Sequence, residues 1–379
     1  MKKITNENKG RIIKFLIAAM GPGETAQGAA LTKYLKKRGK KVTFITRLKL
    51  NRLFFQNQKN KVFLVNTSEK FKKVFEKEKP DILVLCNSKM VSYYKNFLEK
   101  RPSFNLIAVS LDSNWLFLKG ERWYSFAKWL DKYLIVFPEK IFKLGLKKYG
   151  GNYTIPVSVM RKIETVGFIP SYKKPPLKER LNIRKKYGIK KGEKLIFAYF
   201  GGFGADFRFW ALENLIKAIN NLIKKGLRIK IIYIGPTKNF ESKILKESWL
   251  IIKRVLTERE FFLTLSSSNL VFQHQGIGTL AQAISSQTPV IVNVRGLKDE
   301  PYPRNAHAWE IAPFAKLNLC KMFYASSPIE EIEEEIRKLL YEKKGRKAMK
   351  EAQRKYYTAG EPKVYQIIKE LLMTKNKKL

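Results

Sequence analysis

Short apolar runs and stretches of helical period alternate along most of this chain. Runs at Ile12–Ala19, Val42–Thr46, Val62–Val65, Ile82–Cys86, Leu106–Ser110 and Tyr133–Phe137 predict strands. Ala29–Arg38 and Ser68–Lys79 predict helices between them. This βαβα order predicts a parallel sheet with helices on both faces. Between Pro156 and Pro176 the pattern breaks, and Ile169-Pro170 and Lys174-Pro175-Pro176 supply turn and linker chemistry. The alternation restarts at Leu195–Phe200, Ile229–Ile234, Trp249–Ile252, Leu270–Phe272 and Pro289–Val294. From about Pro328 the pattern is helical and ends in a lysine-rich tail. At 379 residues the chain exceeds the roughly 250–300 at which a single core stops growing. The expectation is an α/β protein of two doubly wound domains, 1–165 and 178–355, with a linker at 166–177 and a terminal helix and basic tail at 356–379.

Open α/β sheets bind ligands at the carboxyl ends of their strands. What stands there is informative. The most telling stretch is His274-Gln275-Gly276-Ile277-Gly278-Thr279-Leu280-Ala281-Gln282, between two predicted strands. Two glycines let the backbone tighten and a ligand approach. Thr279 falls in the first helical turn, where free N–H groups and the dipole favour phosphate. Other strand ends carry Gly21-Pro22-Gly23-Glu24-Thr25-Ala26-Gln27-Gly28, Asp112-Ser113-Asn114, Gly201-Gly202-Phe203-Gly204-Ala205-Asp206, and Asp299-Glu300-Pro301 with Asn305. Each alone suits an ordinary turn or cap. Five together, split over two sheets, describe a cleft between domains, with phosphate-friendly loops in the second.

Composition narrows the classes. Cys86 and Cys320 belong to no metal or disulfide spacing, and the only histidines are His274 and His307, so no metal site is expected. No apolar run approaches the ~18–20 residues of a membrane span, and no secretory signal is visible. The net charge of +44 is extreme. It is spread evenly: residues 1–170 hold 35 basic and 12 acidic residues, and the remainder 41 and 20. A nucleic-acid binder more often concentrates its charge, so nucleic acid is a disfavoured partner. Attraction to an anionic membrane surface or to phosphorylated substrates fits. The expected location is cytoplasmic, peripheral on the inner face of the membrane.

These motifs, in this order from about residue 12 to 310, resemble the GT-B glycosyltransferases, with two Rossmann-like domains. The resemblance is nearest to the peptidoglycan lipid-intermediate N-acetylglucosaminyltransferase family. His274 to Gln282 aligns without gaps to the donor loop of the UDP-sugar transferases. Gly201 to Ala205 resembles the second Gly-rich loop, one residue shorter, and Val166-Gly167 with Pro170 resembles the interdomain turn. Leu111-Asp112-Ser113-Asn114, with Phe126-Ala127 and Tyr133 to Pro138 after it, is similar to a further family loop. The resemblance implies that Gly202, Phe203, Gly204, His274, Gly276, Gly278 and Thr279 hold a diphosphate. It implies that Gln282 holds the ribose and that Glu300 and Asn305 touch the sugar. Gly21, Gly23, Thr25 and Asn114 fall on the acceptor side.

Two departures matter. Thr25 stands where the family places a histidine base, and a hydroxyl cannot take a proton at neutral pH. Gln282 stands where the family has glutamate; an amide still bonds a diol. The base must lie across the cleft from the donor, which leaves Glu24 and Asp112. Asp112 is preferred, because a carboxylate ending a buried strand is rigid and partly desolvated.

The aromatic segment from Trp115 to Phe137 has a core-like stripe of Trp123, Phe126, Ala127 and Leu130. Trp115, Phe117 and Trp129 fall off that stripe, beside Lys119, Arg122 and Lys128, as a membrane interface would require. The leading expectation is an inverting transferase moving a sugar from a UDP-sugar, UDP-N-acetylglucosamine by resemblance, to a membrane-linked or anionic acceptor. No cofactor beyond that donor is expected. Rival expectations are a non-catalytic nucleotide-sugar-binding protein, a nucleotide-sugar epimerase on the same fold, and, behind these, a nucleic-acid-binding protein.

Overall fold

The structure is a computed structural model and describes residues 12–55, 61–87, 90–99, 106–113, 128–149, 155–170, 172–201, 209–236, 247–295 and 306–376. Its first sheet holds β1 (Lys14–Ala19), β2 (Lys41–Thr46), β3 (Lys61–Leu64), β4 (Ile82–Leu85), β5 (Ile107–Asp112), β6 (Lys132–Ile135) and β7 (Ile163–Thr165). Their order is β3-β2-β1-β4-β5-β6-β7. The second sheet holds β8 (Lys194–Tyr199), β9 (Ile229–Ile234), β10 (Leu250–Lys253), β11 (Leu270–His274), β12 (Val290–Val294) and β13 (Lys321–Tyr324), in the order β10-β9-β8-β11-β12-β13. Every pairing is parallel, for instance Lys14↔Lys41 and Val271↔Val290. The helices on the first sheet are α1 (Pro22–Lys36), α2 (Ser68–Glu78), α3 (Val91–Leu98), α4 (Glu139–Tyr149) and α5 (Val157–Met160). Then follow α6 (Leu177–Lys186), α7 (Phe209–Lys224), α8 (Glu258–Ser267), α9 (Ile277–Ser286), α10 (Ala306–Lys316), α11 (Ile329–Tyr341), α12 (Lys343–Tyr356) and α13 (Glu361–Asn376).

The central strands are largely apolar because helices cover both faces: every residue of β4, β5, β11 and β12 is buried, with polar side chains only at Ser110, Asp112, Gln273, His274 and Asn293. Two strands lie where the hydrophobic pattern shows none. They are β7 and β13, one edge strand of each sheet, whose residues are half-buried, so they carry polar positions such as Glu164 and Lys321. The stretch from Gly21 to Gly28, read from sequence as a loop, is a correction of larger consequence. Only Gly21 lies outside the helix. Pro22 opens α1 at its first position, where its missing N–H costs nothing. Gly28 lies inside that helix because a side chain there would collide with Phe44 and Cys86 on the sheet below.

The order of each sheet reverses once, between β1 and β4 in the first and between β8 and β11 in the second. Those reversals are where a doubly wound sheet opens a crevice. The chain crosses between the domains a second time after α12. Phe168 N–H donates to Thr358 O at 2.8 Å and Gly360 N–H donates to Phe168 O at 2.6 Å. Beyond that bridge, Val364, Ile367 and Ile368 of α13 are buried in the core of the first domain, with Ile17, Leu31 and Val109. Lys375 ends the helix by donating to Leu106 O at 2.8 Å.

Gly167 makes this crossing possible. Its φ is +97°, and a Cβ added to it would lie 2.6 Å from Thr358 O. Gly167→Ala should destabilise the protein by at least about 2 kcal/mol, read as a lower denaturation midpoint in urea. A midpoint equal to that of the unchanged protein would show that the crossing does not depend on this residue.

Candidate functional site

The two reversal points face one another. The N-terminus of α1 meets the N-terminus of α9, so closely that a Cβ on Gly278 would lie 3.6 Å from the Cα of Gly23. Around this contact opens a cleft of about 880 Å³, lined from the first domain by Pro22, Gly23, Ala26 and Phe54. The second domain contributes Gly201, Gly278, Thr279 and Gln282.

On the second-domain side, β11 ends at His274 and Gly276 caps α9. The turn is tight, with Gly276 N–H donating to His274 O at 2.7 Å, and Gln273 Nε2 donates to Gly276 O at 3.2 Å. The His274 imidazole is buried, 7% exposed, and lies under Gly276, whose added Cβ would sit 3.1 Å from Cε1. It packs beneath the turn. The first turn of α9 holds no acidic residue, so its free N–H groups present an uncompensated positive end. One turn further on, Gln282 is 7% exposed and lines the cleft. Its Oε1 is fully covered and has no hydrogen-bond partner among the described residues. A buried amide oxygen left in this state is costly unless a ligand donates to it.

The first-domain side is different in kind. Glu24 is the third residue of α1 and turns back over its start. Its Oε2 accepts from Met20 N–H at 3.1 Å and Gly21 N–H at 2.9 Å, and its Oε1 accepts from Asn87 Nδ2 at 2.7 Å. This is the returning half of a capping box. Thr25 is fully buried, and its hydroxyl donates to Gly21 O at 2.8 Å, inside the helix. Asp112 ends β5, is 3% exposed, and accepts from Ser110 Oγ at 2.6 Å. Both carboxylates act on Cys86. Burial pushes its thiol well up, and Glu24 and then Asp112 push it further. Burial likewise raises the Tyr133 hydroxyl, with Asp112 adding to it. Glu24 and Asp112 therefore share one neighbourhood at the ends of β1, β4 and β5.

Part of the cleft has no counterpart in the sequence reading. Tyr199, Ile234, Val255, Leu256 and Phe261 form an apolar slot beside Gln282. The signal was present in Thr257-Glu258-Arg259-Glu260, a capping box in which Thr257 Oγ1 accepts from Glu260 N–H at 3.3 Å. It marks the start of α8 and so the loop before it. Next to this slot the domains are tied together. Tyr172 of the linker donates to Glu258 Oε2 at 3.3 Å, and Lys33 of α1 lies 4.2 Å from the Tyr172 ring centre. Partial burial lowers the Lys33 ammonium, opposed by Glu258.

Gly202, Phe203, Gly204, Asn114, Glu300 and Asn305 lie outside the described residues, as do Trp115, Phe117, Trp123 and Phe126. Among the described residues no group of three or more His, Cys, Asp or Glu side chains is placed to hold a metal ion. None of the described helices is long and apolar enough to cross a membrane.

No protein-family model matches this chain, and no curated protein matches it in sequence. Solved structures do. MurG of Acinetobacter baumannii is 13% identical over 95% of this chain and 100% of its own, with a TM-score of 0.61. MnaA of S. aureus in complex with UDP is 15% identical over 95% and 97%, with a TM-score of 0.64. A proposed UDP-N-acetylglucosamine 2-epimerase from Listeria monocytogenes is 14% identical over 93% and 94%, with a TM-score of 0.62. The chain therefore has the GT-B fold, two parallel-sheet Rossmann-like domains about a cleft.

If Glu24 is the cap of α1, Glu24→Ala should lower stability by about 1–2 kcal/mol, measured by urea denaturation. An unchanged midpoint would mean that the three bonds to its carboxylate contribute nothing to folding.

Proposed function

We propose that this protein binds a UDP-sugar on its second domain and transfers the sugar, with inversion, to an acceptor held on the first. The observation that carries the reading is Gln282: a residue that lines the cleft at the N-terminus of α9 and whose buried amide oxygen has no hydrogen-bond partner among the described residues. Anion and diol donor converge there as a nucleotide diphosphate requires. The occurrence of glycosyltransferases and of a UDP complex among proteins of this fold supports the same reading.

In this reading the diphosphate sits on the N–H groups of Ile277, Gly278 and Thr279. The ribose hydroxyls donate to Gln282 Oε1. The base enters the slot of Val255, Leu256 and Phe261. Gly202, Phe203 and Gly204 close over the phosphates, and Glu300 and Asn305 meet the sugar. The acceptor hydroxyl attacks the anomeric carbon from the face opposite the diphosphate. The bond from that carbon to the phosphate oxygen breaks, and UDP leaves with the electron pair. The proton released by the acceptor goes to Asp112. Glu24 is the lesser candidate, because its Oε2 already accepts from the N–H groups at the start of α1 and its Oε1 from Asn87. The acceptor class in this reading is lipid-linked or anionic, drawn to a strongly basic protein at the inner membrane face.

Gly278→Asp places a carboxylate at the anion site and against Gly23, so UDP binding by calorimetry should vanish. Gln282→Ala should weaken it about tenfold, by leaving the ribose a partner short. Heats unchanged in both would place the nucleotide elsewhere.

Asp112→Asn preserves shape and removes the base. Transfer from a UDP-sugar to extracted membrane lipid should fall about 100-fold or more, with UDP affinity held. Near-normal turnover in this variant, with loss in Glu24→Gln, would move the base to Glu24. Interconversion of UDP-sugar epimers without any acceptor would instead identify an epimerase.

A further inference from the structure

A second cavity lies at the carboxyl ends of β2 and β3, against the first turns of α2 and α3. It is lined by Arg47, Asn66, Thr67, Ser68, Tyr93 and Tyr94, with Val65 as its one aliphatic residue. No acidic side chain among the described residues lines it. Its walls are held by contacts of several kinds. Val65 N–H donates to Thr46 O at 2.8 Å, which carries the pairing of β2 and β3 past Leu64 to the neighbourhood of Arg47. Ser68 Oγ donates to Tyr93 O at 3.3 Å and ties the start of α2 to α3. Tyr94 is 6% exposed, and its ring stacks on Phe71 of α2, 3.9 Å between centres. The half-buried Arg47 guanidinium lies 4.6 Å from the Tyr93 ring centre. That contact holds the cation without neutralising it.

Hydrogen-bond donors are left over in this cavity. Among the described residues the Arg47 side chain forms no ion pair and no hydrogen bond, so the whole of its N–H fork is unspent. The Asn66 amide and the Tyr94 hydroxyl likewise make no hydrogen bond among them. Thr67 Oγ1 accepts from Lys70 N–H at 3.2 Å, which leaves its own hydrogen to give. Burial pushes the Tyr94 hydroxyl up to about 12, with the Arg47 charge opposing the shift, so this group is a donor at neutral pH. Only Ser68 has spent its hydrogen, on Tyr93 O.

We propose that this cavity is a second binding site, for the phosphate monoester end of a small molecule, the acceptor in the reading above. The Arg47 fork alone satisfies the two oxygens of a carboxylate. A phosphate monoester brings a third oxygen, which the Thr67 and Tyr94 hydroxyls and the Asn66 amide are left to serve. The cation rests on one ring and Tyr94 is stacked on another, so binding has little left to order. The register of the sheet places the site. Thr46 pairs with Ala19, Ala18 with Leu85 and Leu85 with Ser110, so Arg47 stands in the same row across the sheet as Asp112. Three strand spacings separate the two backbones, about 14 Å. A molecule anchored at Arg47 must extend along this edge to bring a hydroxyl to Asp112, which free phosphate cannot do. Only the role as acceptor rests on the transfer reading; the phosphate binding does not.

The experiment is calorimetric titration of the full chain with glycerol 3-phosphate at fixed ionic strength, with acetate as the carboxylate probe. Arg47→Ala should weaken glycerol 3-phosphate binding by at least about tenfold. Lys217→Ala, an equal charge change at an exposed position of α7, should leave it within about twofold. Tyr94→Phe keeps the ring on Phe71 and removes the hydroxyl. It should weaken binding about threefold or more, with the melting temperature unchanged, so that lost binding is not mistaken for lost folding. Gly278→Asp should leave glycerol 3-phosphate bound, which separates this site from the cleft, and acetate should bind at least about tenfold more weakly. The proposal is overturned if Arg47→Ala and Lys217→Ala act alike, if Tyr94→Phe binds as the unchanged protein does, if Gly278→Asp abolishes binding, or if acetate binds as tightly as the phosphate ester. Absence of UDP binding by the unchanged protein, with glycerol 3-phosphate still held through Arg47, would instead overturn the transfer reading and the acceptor role with it, and leave the site standing.

Discussion

Two helix N-termini pressed together are the constraint on which this molecule is arranged. Each carries the equivalent of about half a positive charge, and α1 and α9 meet at Gly23 and Gly278 with only backbone between them. Two like dipole ends at van der Waals distance repel unless at least one is compensated. The chain compensates one. Glu24 folds back over the start of α1 and takes up the Met20 and Gly21 N–H groups. The other end, on α9, has no acidic residue in its first turn. The two sides of one contact are thus made chemically opposite: the first domain presents carboxylates, and the second presents the N–H groups of a helix start with no acidic residue in its first turn.

Keeping that contact in place is the task of the interdomain ties. A linker alone would leave the domains free to swing. Here the chain returns, bridges Phe168 to Ala359, and buries Val364, Ile367 and Ile368 in the first core. Phe314 of α10 stacks edge-on against Phe137 at the end of β6, 5.6 Å between ring centres. Tyr172, Lys33 and Glu258 add a polar tie close to the cleft, where the carboxylate on α8 faces a cation on α1. Apolar packing sets the hinge, and the polar tie holds the mouth.

Much of the fold was legible because parallel strands buried on both faces are apolar at nearly every position, with polar residues gathered mainly at their carboxyl ends. Ile229–Ile234 has the same bounds in sequence and structure, and the other central strands shift by a residue or two. The pattern fails at β7 and β13, short edge strands whose half-wet positions mix apolar with polar residues, although the other two edges, β3 and β10, keep apolar runs that show them. It fails at α1 because glycine and proline serve loops and helix starts equally, and only the Glu24 bonds distinguish them. Gln282 and the glycines of α9 were legible as a local motif. The contact of Gly23 with Gly278 was not, since nothing in either segment names its partner across more than 250 positions. Nor was the fate of His274, whose ring packs under its own turn, a matter of rotamer and burial that spacing does not encode.

The charge of the chain reads as uniform in sequence but is not uniform in space. Carboxylates are few, 32 against 76 cations, so where they go decides where positive potential remains. Several are drawn into half-buried pairs, Glu78 with Lys61 and Glu333 with Lys225, where the lysine hydrogen bond outweighs part of the desolvation cost. Others tie helices together on the surface, as Glu334 and Glu342 do around Arg337. At physiological salt a field from distant lysines is screened within about 8–10 Å. It can gather polyanions near the protein but cannot choose among them. Choice requires charges left uncompensated at short range and fixed in position, and at the cleft the first turn of α9 presents its free N–H groups with no acidic residue beside them.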